Sequence, residues 1–148
     1  MQFFRKKLTH LNIGWNERPL TESDFHRICK SFKITVTEMP LRVSGFYYRV
    51  MGRDFIAIDS RLTGSEKLFV MFHELGHFLF HTPETGATAN FHGIGHKTRY
   101  ESEADAFALA AIIPFAMLRS NLTEQLIDEG FSAKMIAERL VVYERFGI

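Results

Sequence analysis

The string His73-Glu74-Leu75-Gly76-His77 constrains this chain most, because it lies inside a stretch, residues 68–80, that is apolar nearly all round. A helix of that pattern is buried. Polar side chains placed there must find partners, since an unpaired polar group away from water costs roughly 2–7 kcal/mol. Histidines four apart project from one helix face at neighbouring heights, so His73 and His77 can hold a single ion. Neutral imidazole is a good zinc ligand, and Glu74, beside the first His, can reach a water at the ion as general base. The structural alternative is a pair of core histidines satisfied by hydrogen bonds. Thr63-Gly64-Ser65-Glu66 has the form of a capping box at the start of this helix. Gly76 costs about 1 kcal/mol relative to Ala in a helix interior, so another backbone, or the helix bearing a further ligand, is expected to pass close by.

Catalytic zinc takes three protein ligands and leaves one position open. A His six residues after His77 would mark a metzincin, but that position is Pro83. The remaining candidates are Glu101 and Glu103, in an Ala-rich helix predicted over residues 100–112 and stopped by Pro114. Glu101 is followed one turn later by Asp105, so one carboxylate can bind metal while the other accepts the outer N–H of a ligating His. Glu103 has Phe107 at that spacing and no such helper, and its loss is expected to matter little. Glu101 is therefore favoured, although Thr98-Arg99-Tyr100-Glu101 also fits a capping box.

Around these helices the pattern is that of an α+β fold. An amphipathic helix follows a Thr21 cap, with Phe25, Ile28, Cys29 and Phe32 on one face. Short strands are predicted at 34–37, 45–51 and 55–58, the last two joined by the link Gly52-Arg53-Asp54. Residues 82–98 read as a long loop, 114–121 and 123–129 as short helices, and a final helix runs from Ser132 toward Arg145. Residues 1–20 have weak periodicity and are left unassigned. With 148 residues, 46% of them hydrophobic, the expectation is one domain across 1–148. A net charge of +1, from 18 basic and 17 acidic residues, gives no electrostatic footprint for nucleic acid. The cluster Arg5-Lys6-Lys7 is read as a solvated face. Cys29 is the single cysteine, which excludes intramolecular disulfides and fits a reducing compartment. No signal-peptide pattern is present, and the longest apolar run, 104–118, is broken by Asp105 and Pro114 and falls short of the ~20 residues that span a bilayer. The expected location is cytoplasmic, without membrane association.

HELGHFLFH followed by ESEADAFALAAIIP resembles the ImmA/IrrE family of HExxH metallopeptidases, whose members pair a HELGH helix with a later E-x-x-A-N/D-x-F-A segment ending in Pro. The order of elements over residues 20–118 resembles that family too. The resemblance implies one zinc ion per chain held by His73, His77 and Glu101, with Glu74 as the catalytic residue. It also implies a thermolysin-like, gluzincin core: a small three-stranded sheet packed on the buried HExxH helix, with further helices C-terminal. It implies a regulatory endopeptidase acting on an intracellular protein such as a helix-turn-helix repressor or an antitoxin, with no direct nucleic-acid contact. Asp105 is the expected outer partner of a ligating His. His81, one further turn along, lies too far up the helix for the same tetrahedral site and is read as an outer partner or a structural residue. Tyr100, and His92 and His96 in the Gly-rich loop, are candidates for contact with substrate or oxyanion. Two other readings stand beside this one. The first is a zinc-containing module that sequesters a repressor or toxin without cutting it, against which Glu74 argues, since structural zinc has no use for a general base. The second is a zinc hydrolase of a non-peptide substrate.

Overall fold

The architecture is that of a computed structural model, described for residues 2–8, 10–81, 98–120 and 123–148. Helix α2 (Glu22–Ser31) starts at the predicted cap: the Asp24 amide donates to the Thr21 hydroxyl at 3.2 Å, and the Thr21 amide donates to the Asp24 carboxylate at 2.8 Å. Its buried face, Phe25, Ile28 and Cys29, turns toward the strands and the central helix.

The strands β1 (Ile34–Met39), β2 (Gly45–Val50) and β3 (Arg53–Asp59) form a mixed sheet in the order β1-β3-β2. The central strand β3 runs parallel to β1, with Val36 opposite Ile56, and antiparallel to β2, with Tyr47 opposite Ile56. Burial follows from that order, since Ile56, Ala57 and Ile58 are all buried. Met51 and Gly52 alone make the β2–β3 turn, with φ of 51° and 76°, the handedness that matches the twist of the flanking strands. Arg53 and Asp54, predicted in the link, therefore belong to β3.

Helix α3 (Gly64–His81) carries the HExxH string, and its residues from Val70 to His77 are buried without a break. The predicted capping box at its start does not form: no hydrogen bond ties the Thr63 or Glu66 side chain to the other's backbone. Gly64 enters the helix at φ 59°, and only the Thr63 carbonyl is used, by the Lys67 amide at 3.3 Å. Helix α4 (Arg99–Ile112) packs along α3 through its alanines, and Gly76 marks the contact. A Cβ at Gly76 would lie 3.3 Å from the Ala104 Cα and 3.2 Å from Phe107 Cδ1, so the close approach expected from this glycine is that of α4 itself.

Three C-terminal helices follow, α5 (Phe115–Ser120), α6 (Thr123–Asp128) and α7 (Ala133–Phe146). Arg139 of α7 is fully buried and donates to the Ile113 carbonyl at 2.7 Å, the Ile148 carbonyl at 2.8 Å and Asn16 Oδ1 at 3.2 Å. One guanidinium thus ties the ends of α4 and α7 to the N-terminal segment.

That segment, unassigned from sequence, holds helix α1 (Gln2–Leu8). Phe4 is fully buried among Trp15, Phe80 and Phe146. Trp15 stacks on Phe107 at 5.8 Å and donates its indole N–H to the Phe107 carbonyl at 2.9 Å. Phe107 also meets Phe72 and Phe80, which makes it the hinge pin between α3, α4 and the N-terminal layer. Phe107→Ala is expected to destabilise the fold by about 3–5 kcal/mol, read as a drop in urea midpoint at unchanged slope.

Candidate metal centre

His73 and His77 lie one turn apart on α3, with their Nε2 atoms 3.2 Å from each other. Glu101, in the first turn of α4, spans the pair: its carboxylate oxygens are 3.1 Å from His73 Nε2 and 2.9 Å from His77 Nε2. All three residues are buried, and one potential ligand atom from each lies within 4.8 Å of the others. Donors held ~2.0–2.1 Å from a tetrahedral zinc ion would stand roughly 3.3 Å apart. The observed spacings are within a few tenths of an ångström of that figure. The capping alternative for Glu101 turns out to use a different part of the residue. Its backbone amide donates to Thr98 Oγ1 at 3.2 Å, which leaves the carboxylate to reach the histidines.

The donor set favours a cation. His73 Nδ1 lies 2.7 Å from Asp105 Oδ1, though off the axis of the ring N–H, so the neutral ring keeps its proton on that side and turns the Nε2 lone pair inward. Inside stands the Glu101 carboxylate, an acceptor only. Two lone-pair carriers at 3.1 Å repel unless a positive charge comes between them. A metal ion or a proton can supply that charge. Burial opposes it, but Asp105 and Glu101 together hold the His73 imidazolium up to about 10. Glu101 in turn sits below the ordinary carboxylate range, burial being outweighed by its bonds to His73 and His77. These residues fit a metal ion.

Glu74 is buried next to these groups, and desolvation raises its carboxyl above the usual range despite the two histidines. The backbone amide of Tyr47 in β2 donates to it. Tyr47 faces Ile56 across the β2–β3 ladder, and β2 is an edge strand, so the edge of the sheet runs past the Glu74 carboxylate.

The sequence model of the IrrE N-terminal-like domain, a peptidase family, matches residues 29–144. The chain belongs to this family. Among curated proteins, the uncharacterized immunity region protein 2 of Bacillus phage phi105 is 32% identical over 88 residues, which are 59% of this chain and 56% of that protein. The match thus spans about half of that relative's length. No solved structure matches significantly. In the IrrE N-terminal-like fold seen here the small sheet lies against α3, in line with the α+β core expected from the motifs. Among the described residues no helix is long and apolar enough to cross a membrane.

Of the other predicted residues, Tyr100 is partly exposed and lays its ring against His81 with centroids 4.4 Å apart. His92 and His96 lie outside the described residues. Glu103, whose loss is expected from sequence to matter little, lies beside His81. It is buried, its Oε2 is 3.0 Å from His81 Nε2, and its Oε1 accepts from Arg99 Nε at 2.8 Å. Its partner Arg99 lies one turn upstream at helical spacing, as Phe107 lies one turn downstream. His81 is buried as well, and desolvation lowers its pKa, which keeps the ring neutral.

Proposed function

We propose that this chain is a zinc-dependent regulatory endopeptidase that cleaves one intracellular protein, of the helix-turn-helix repressor or antitoxin class. The observation that carries the reading is the convergence of two imidazole nitrogens and one carboxylate beside a buried carboxyl group of raised proton affinity. Bound zinc would supply Lewis acidity, polarising the scissile carbonyl and making water nucleophilic near neutral pH. Glu74 takes the attacking water's proton, for which its desolvated position suits it, and passes that proton to the leaving nitrogen. A substrate backbone adds as a strand along the outer edge of β2, where main-chain bonds grip an extended peptide with little demand on its side chains. The peptidase family supports the class of reaction. The phage relative is named as an immunity region protein, which supports a repressor as target.

Purified protein is expected to hold about one zinc per chain, and to cut the repressor encoded nearest its gene into two discrete fragments. Elemental analysis and gel electrophoresis check the two parts separately. Absence of any transition metal, with none taken up on adding zinc, would remove the metal site. Metal without cleavage would turn the reading toward sequestration.

A further inference from the structure

Outside the three candidate ligands, a buried line of side chains runs from the metal centre to the surface. His77 Nδ1 lies 2.9 Å from His81 Nδ1, His81 Nε2 lies 3.0 Å from Glu103 Oε2, and Glu103 Oε1 lies 2.8 Å from Arg99 Nε. We propose that His81 and Glu103 are positioning residues that fix the tautomer of His77, so that its Nε2 lone pair faces the metal. The proposal rests on reading the His73, His77 and Glu101 cluster as a metal centre.

The direction of the protons follows from the far end. Glu103 is a carboxylate paired with a guanidinium, so it only accepts, and His81 Nε2 must carry a proton toward it. With its proton on Nε2, His81 has only Nδ1 left to accept with, and that atom lies 2.9 Å from His77 Nδ1. His77 must therefore donate from Nδ1, which leaves Nε2 as its lone pair, directed at the space shared with His73 and Glu101. The reverse arrangement fails at both ends. It would press a lone pair of His81 against the Glu103 carboxylate, and it would point an N–H of His77 into the ligand space.

The two histidine ligands are thus held by different means. On its outer nitrogen, Nδ1, His73 meets the Asp105 carboxylate directly, while Nδ1 of His77 reaches the Glu103 carboxylate only through an intervening imidazole. The difference has an electrostatic reason. Glu74, Glu101 and Asp105 already crowd three carboxyl groups around the histidines, and a fourth touching His77 would add repulsion in a medium that screens little. With His81 as spacer, the negative charge stands one ring away, beside Arg99, whose side chain is largely exposed. Helical geometry supplies the alignment, since His73, His77 and His81 recur every four residues along one face of α3.

Zinc affinity measured by chelator competition tests this. His81→Phe and Glu103→Leu should each weaken binding by roughly 10–100-fold, the usual effect of losing the outer partner of a ligating His. Because the residues act in series, the double variant should bind about as weakly as either single one. His81→Gln should restore affinity toward wild type, its amide oxygen accepting from His77 and its amide nitrogen donating to Glu103, a result that a purely structural role would not produce. In the zinc-loaded wild type, nitrogen-15 spectra of the rings should show His77 protonated at Nδ1 and His81 at Nε2, a readout that needs no variant to fold. Wild-type affinity in His81→Phe, or His81 protonated at Nδ1 in the loaded protein, would overturn the proposal while leaving the metal centre intact. Failure of the wild type to bind zinc would instead overturn the metal centre, and this proposal with it.

Discussion

Glu74→Gln is expected to leave the fold and the bound metal in place while turnover falls by ~10²–10⁴-fold, the usual contribution of a general base. The substitution keeps the volume of a side chain that is almost wholly buried. It also keeps an oxygen to accept from the Tyr47 amide. What it removes is proton affinity, because an amide cannot take the proton of the attacking water. Glu74 is not among the converging ligand atoms, so metal content should be unchanged. The variant should still bind the repressor that wild type cuts, and become a trap for it. The comparison is made by following cleavage and complex formation in separate assays. If both proteins relieve repression equally and neither cuts, the chain works by sequestration and the endopeptidase reading is wrong. If the variant loses metal as well, Glu74 is holding the site together and is not acting as a base.

The parts of this site legible in sequence are those encoded by helical spacing. His73 and His77 share a face because they are four apart, and Glu101 and Asp105 likewise, so each helix announced its own half of the cluster. Gly76 announced that the halves meet, since the lost side chain makes room for Ala104 and Phe107. Contacts between segments distant in sequence were not legible. Trp15 reaches across 92 residues to the Phe107 carbonyl, and no local pattern in a helix as short as α1 foretells that layer. The sheet order was hidden for a related reason. A hairpin can be read from Gly52, but the parallel pairing of β1 with β3, which puts β3 in the centre and leaves β2 as the edge beside Glu74, depends on a crossover that leaves no periodic trace. The contact between Glu103 and His81 was hidden in the same way, because the two residues lie on different helices. The capping box at Thr63 failed because the pattern takes no account of Gly64, whose left-handed conformation carries the chain into α3 another way.

Glu101→Gln is the strongest test of the metal centre itself, with a loss of zinc affinity expected to exceed the ~10–100-fold typical of an outer-partner substitution such as Asp105→Ala. The variant preserves side-chain volume, and its backbone amide can still donate to Thr98 Oγ1, so the start of α4 should hold. The negative charge between His73 and His77 disappears, however, and a neutral amide oxygen is a weaker ligand for zinc than a carboxylate. Thermal unfolding gives an independent reading. A ligand at a hundred times its dissociation constant stabilises the folded state by about 2.7 kcal/mol, so saturating zinc should raise the wild-type midpoint by several degrees. In Glu101→Gln that rise should shrink toward zero, and in Asp105→Ala it should shrink in part. The ranking separates ligand from orienting partner, because Glu101→Gln weakens a donor that faces both histidine nitrogens, whereas removing Asp105 leaves all three donors with His73 less well held. An Asp105→Ala variant that loses more affinity than Glu101→Gln would reverse the assignment and make Asp105 the residue on which the metal depends.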